Sequence, residues 1–134
     1  MMMFVGVLML TGMALSSFAQ DDMMMEKANP KNPTVAIIRA DWCPYCKQLE
    51  PTMMGLMKDY KGKLNFVMFD VTNEETSAKA AAMAKSLGLS SFFKANKNRT
   101  STVAVFKNKK QQFKTTNNQN RSAYVTAFDK AIKS

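Results

Sequence analysis

Cys43 and Cys46 are the only two cysteines in a chain of 134 residues, and the chain contains no histidine. Without histidine there is no Ser-His-Asp or Cys-His nucleophile system, no histidine zinc site and no histidine-ligated haem. Two thiols are also too few for a four-thiolate metal site within one chain. What remains is the chemistry of the thiols themselves. The spacing Cys43-Pro44-Tyr45-Cys46 lets the second thiol reach back to the first and close a small disulfide ring. The thiolate is the form that attacks disulfides, so reactivity depends on how far the surroundings lower the thiol pKa. Two blander readings stay open, an inert structural clip and half of an intermolecular zinc site. A clip across so short a loop gains little, because stabilisation by a cross-link grows with loop length.

Such a pair needs elements that hold it at a helix start. Residues Thr34 to Ala40 (TVAIIRA) form a short apolar run rich in β-branched side chains, which predicts a strand buried on both faces. After the cysteines, Leu49, Met53, Leu56, Met57 and Tyr60 repeat at helical spacing, and Lys61-Gly62-Lys63 stops that helix. The pair therefore lies between a strand and a helix, where unpaired amides and the macrodipole favour an anion and draw the first sulfur towards thiolate. Pro44 suits the first turn because it has no N–H to leave unpaired. Further along, Leu64 to Val71 reads as a strand. Thr72-x-x-Glu75 reads as a capping box for a helix reaching Leu87, with Gly88 as its stop. Thr102 to Lys107 and Gln111 to Thr115 read as a hairpin, and Tyr124, Ala127, Phe128, Ala131 and Ile132 as a closing helix. The order is β-α-β-α-β-β-α.

The amino terminus reads differently. Phe4 to Leu15 is an uncharged apolar run, too short for the roughly 20 residues a membrane span requires. It has the length of a signal-peptide core, and Ser17-Phe18-Ala19 supplies small residues for cleavage after Ala19, although Met1-Met2-Met3 brings no basic side chain. The expectation is a signal peptide over 1–19, a tether over 20–33 and one domain over 34–134, with an uncleaved anchor as the competitor. Export would put Cys43 and Cys46 where disulfides persist. Met23 to Met25 offers soft ligands for copper but reads first as a loose apolar stretch, and no metal is expected. The net charge of +9 is concentrated beyond Lys85. A basic half can serve nucleic acid, an anionic membrane or acidic partners. Here it lacks the interleaved aromatics of single-strand binders and reads as a solvated face.

The segment Ala40-Asp41-Trp42-Cys43-Pro44-Tyr45-Cys46-Lys47 resembles the active-site segment of the thioredoxin family. Pro51, five residues after the second cysteine, matches the proline that the family carries in its active-site helix. The likeness covers roughly 34–134. It implies an α/β thioredoxin fold, a central mixed sheet flanked by helices, and thiol-disulfide exchange on protein substrates. Cys-Pro-Tyr-Cys alone is more typical of glutaredoxins, but Trp42 and Pro51 look like thioredoxin, and no glutathione-binding motif is found. The resemblance assigns Cys43 as nucleophile and Cys46 as resolving thiol, with Trp42, Pro44, Tyr45 and Lys47 tuning the pair.

Three departures stand out. The family's cis-proline slot falls on Ser101, and a cis bond before a non-proline residue costs about 2.5–4 kcal/mol, so Thr100-Ser101 is expected to be trans while still contacting substrate backbone. The family's buried acid, six residues before the first cysteine, falls on Ile37. Loss of a general base costs about 10²–10⁴-fold and leaves proton transfer to solvent, with Lys47 for charge. Finally, Ser90 to Thr100 is longer than usual. It reads either as a partner-recognition element presenting Phe92 and Phe93 or as an ordinary loop pinned by them. The expected protein is a periplasmic or secreted disulfide reductase, acting as a monomer on protein disulfides or dithiols. It would need a recycling redox partner but no bound cofactor, nucleic acid or lasting membrane insertion. The rival reading is a non-catalytic binding module with a vestigial or structural disulfide, which the Ile37 and Ser101 departures favour.

Overall fold

The computed structural model describes residues 28–134. The expected signal peptide, its cleavage point and Met23 to Met25 lie outside the described residues. The element order is β1 (Thr34–Arg39), α1 (Pro44–Asp59), β2 (Asn65–Asp70), α2 (Glu74–Ser86), α3 (Ser90–Asn96), β3 (Thr102–Lys107), β4 (Lys110–Thr116) and α4 (Arg121–Lys133). One sheet carries the strands in the order β2-β1-β3-β4. β1 runs parallel to β2, from Thr34 opposite Asn65 to Arg39 opposite Asp70, and antiparallel to β3. This is the mixed sheet flanked by helices that the resemblance implied.

Strand alternation divides the core into two layers. Val35, Ile37, Val103 and Val105 face α1 and α4, where they meet Leu49, Met53, Leu56, Tyr124 and Phe128. Ala36, Ile38, Phe69, Ala104 and Phe106 face α2 and α3, against Ala80, Ala84, Leu89, Phe92 and Phe93. A strand enclosed in this way has to read as an unbroken apolar run, as β1 does. Pro51 sits inside α1 without ending it.

Two expectations need correction. Ser90 to Asn96 is a helix rather than a loop, because Leu89, Phe92, Phe93 and Asn96 fall at i, i+3, i+4 and i+7 and bury one face. The capping box of α2 uses Asn73 and Thr76, not Thr72 and Glu75. The Thr72 hydroxyl is taken up by Asp70 and by the amide of Asp41. The described end of the expected tether is pinned to the domain: Asn29 exchanges hydrogen bonds with Asn65 at 3.0 and 2.7 Å, and Asn32 donates to the Gly62 carbonyl.

Candidate active site

The chain leaves β1 at Arg39 and turns at Ala40, whose carbonyl accepts from the Cys43 amide at 3.2 Å. It enters α1 with Cys43 as N-cap and Pro44 in the first turn. The Cys43 sulfur accepts from the Cys46 amide at 3.2 Å, the position a serine or aspartate oxygen normally fills. Both cysteines are free thiols.

The two thiols are displaced in opposite directions. Burial pushes Cys43 up, but hydrogen bonding to the Cys46 thiol, the Thr100 hydroxyl and the amides of Cys46 and Tyr45 outweighs it, so Cys43 lies below the ordinary thiol value. Burial also pushes Cys46 up, and its donation to Cys43 adds to this; backbone groups of Ala40 and Ser101 counter only part, leaving it at about 11. One sulfur is prepared as thiolate and the other as the proton holder. Exposure runs the other way, with Cys43 only 2% exposed and Cys46 half-buried. The thiolate preference therefore follows hydrogen bonding rather than access to water.

Trp42 precedes the pair, Tyr45 lies between its two cysteines, and both are among the most exposed large apolar side chains, at 61% and 47%. The Trp42 indole N–H donates to the Thr72 carbonyl at 3.1 Å, and the Tyr45 carbonyl accepts from the Gln119 side chain at 3.1 Å. Lys47 is exposed in the first turn of α1. Thr100 borders Cys43, as its influence on that thiol requires.

Ser101 is built into the fold beside the cysteines. It is fully buried, its amide donates to Ile38, and its carbonyl accepts from Asn117. It stands behind the cysteines at φ 65, with its hydroxyl unpartnered. No cis peptide bond occurs among the described residues, so Thr100-Ser101 is trans, as expected. Phe92 and Phe93 are removed from substrate, because both are buried against Phe69 and Phe92 also against Phe106. Sequence reasoning passed over Arg39, Asp70 and Gln119, and took Thr72 only for a helix cap. The first two carried a faint signal, a charge closing each of two apolar strand runs; Gln119, 74 residues from Tyr45, carried none.

No group of three or more His, Cys, Asp or Glu among the described residues is placed to hold a metal ion. A cavity of about 870 Å³, bordered by Thr34, Leu64, Phe66, Leu89 and Phe106, lies at the opposite end of the sheet. The cysteine end instead presents a surface with two exposed aromatics.

The family model for thioredoxin matches residues 17–129, and the chain belongs to the thioredoxin family. It is 35% identical over 72 residues to the chloroplastic thioredoxin-like protein HCF164 of Arabidopsis thaliana, a stretch that covers 53% of this chain and 28% of that protein. It is 34% identical over 65 residues to a thiol:disulfide interchange protein TxlA homolog of Synechocystis, covering 48% of this chain and 36% of the relative. The matched stretches thus span little more than a third of these relatives at most. Among solved structures, Fasciola hepatica thioredoxin superposes with a TM-score of 0.55 at 19% identity, covering 75% of this chain and 82% of that one. The Edwardsiella tarda protein Trxlp gives 0.51 at 18%, covering 72% and 81%. These two likenesses concern the fold.

Proposed function

We propose that the chain is a disulfide reductase of exported proteins. The observation that carries this reading is the Cys43 sulfur capping α1 beside a Cys46 thiol held protonated. The Cys43 thiolate attacks one sulfur of a substrate disulfide, and the substrate's other sulfur leaves and takes up a proton. The mixed disulfide is resolved when Cys46 gives up its proton and attacks Cys43. The second substrate thiol is then released. Two electrons pass from the pair to the substrate, and a recycling dithiol restores them. Trp42 and Tyr45 give a substrate protein apolar contact, and Thr100 meets it beside Cys43. Export rests on Phe4 to Leu15 and the Ser17-Phe18-Ala19 site, and the chain acts as a monomer.

Equilibration against glutathione buffers tests the direction. A potential near about −270 mV supports a reductase, whereas one near about −120 mV makes the chain an oxidant. The near-complete burial of Cys43 favours a second reading, a binding module with a dormant pair. Cys43→Ser separates them, because a reductase loses turnover of insulin disulfides while a module keeps its partner.

A further inference from the structure

Val35 and Ile37 point from β1 towards α1, and strand alternation puts Arg39 on the same face, at the sheet end that carries the cysteines. Its register partner on β2 is Asp70. The guanidinium forks between two carboxylates, reaching Asp70 at 2.6 Å and Asp41 at 2.6 Å. Asp70 also accepts from the amide and hydroxyl of Thr72, the Thr72 hydroxyl accepts from the Asp41 amide at 3.0 Å, and the Thr72 carbonyl holds the indole of Trp42. Arg39, Asp70, Thr72 and Asp41 thus form a closed ring at the ends of two strands, and Trp42, which precedes Cys43, is tied to it through the Thr72 carbonyl. Arg39 and Asp70 keep only 29% and 27% of their side-chain surface, so water screens this pair less than a surface ion pair.

We propose that Arg39 is a positioning residue for the exchange reaction: its guanidinium, held between Asp41 and Asp70, fixes the turn bearing Trp42 and keeps a positive charge at the sheet end that carries the cysteines. This rests on the exchange reading above. Ile37 provides no ionisable group on this face, so Arg39 is the cation that β1 contributes there. It is attracted by a Cys46 thiolate as well as by its two carboxylates. The other charged groups on the segments that adjoin this end of the sheet are Asp41 after β1, Asp70 on β2, Lys47 on α1 and Arg99 before β3. Without Arg39, the first two are left uncompensated. With Arg39 in place, developing negative charge on Cys46 during resolution meets a fixed cation, and Trp42 stays where a docking protein finds it.

The test is the pH dependence of iodoacetamide alkylation of Cys46 in a Cys43→Ser background, where it is the one thiol left, read by mass spectrometry, together with the emission of Trp42, the sole tryptophan. Arg39→Gln is expected to move alkylation to higher pH and slow it about 3–10-fold near neutrality, the scale of half to one pKa unit. It should also change the Trp42 emission. Arg39→Lys keeps the charge but not the fork, so it is expected to restore the alkylation profile and leave the emission altered. Asp70→Asn removes a negative charge and is expected to shift alkylation the opposite way, to lower pH. An unchanged Arg39→Gln profile overturns the proposal. So do shifts of the same sign in Arg39→Gln and Asp70→Asn, which would mean general loosening. Alkylation needs no protein substrate, so a wild-type chain that fails to reduce insulin overturns the exchange reading and leaves Arg39 to be judged on its own profile.

Discussion

The thiol at Cys43 owes its lowered pKa to a few donors, and Thr100 is the one that can be removed with least disturbance to the helix. Thr100→Val keeps the shape and deletes the hydroxyl. Its expected effect is a move of Cys43 towards the ordinary thiol value by up to about one unit, or as much as tenfold in alkylation rate below the pKa. A pH series of Cys43 alkylation measures it. An unchanged profile would mean that the amides of Cys46 and Tyr45 suffice. At this scale the sequence was a good guide to the cysteines, because their spacing and strand-to-helix setting are local. It was a poor guide to Arg39 and Gln119. A charge at a strand end looks solvated until the neighbouring strand places Asp70 beside it, and the Gln119 contact with Tyr45 spans 74 residues.

Among the elements, the connection from α3 to β3 departs furthest from the family pattern. Ser101 occupies the left-handed region at φ 65 and spends its amide on Ile38. Proline fixes φ near −65° and has no N–H, so Ser101→Pro, although it installs the family's residue, does not fit this backbone. It is expected to destabilise the protein by about 3 kcal/mol, on the scale of a proline that breaks a hydrogen bond. Ser101→Gly relieves the strain and removes an unpartnered hydroxyl, for an expected gain of up to about 1 kcal/mol. Urea midpoints report both. The strand after this connection was legible from its apolar run. The helix before it was not, since seven residues without a side-chain cap give a weak signal, and the paired phenylalanines looked like exposed anchors. Leu89 and Asn96 complete their helical spacing, and burial of that face explains why they are not.

For the molecule as a whole, the sheet joins β1 to partners from both halves of the chain, so the site is assembled only when all of it folds. The element order could be read in advance, apart from α3. The strand order β2-β1-β3-β4 could not be read from periodicity, because pairing is a long-range choice. The acid limb of stability follows from the same assembly. Burial pushes Asp70 up, but the Thr72 hydroxyl and amide and the Arg39 charge outweigh it and hold the carboxyl below the ordinary aspartate range. A depressed carboxyl contributes stability above its unfolded pKa and loses it as pH falls through the folded value. Thermal midpoints should therefore fall below about pH 4, and Asp70→Asn should flatten that fall. A fall of the same steepness in the variant would assign the acid limb to other carboxylates.

The sulfur that attacks is also the sulfur that caps α1. A thiolate accepts the Cys46 amide strongly, whereas a sulfur bonded to another sulfur carries no charge and accepts weakly. Each oxidation therefore withdraws the cap and each reduction restores it, so the opening turn of α1 alternates between a firm and a loosened state in step with turnover. Amide hydrogen exchange at Cys46 records this alternation, slow in the dithiol and faster in the disulfide, while amides around Leu56, deep in the same helix, stay unchanged.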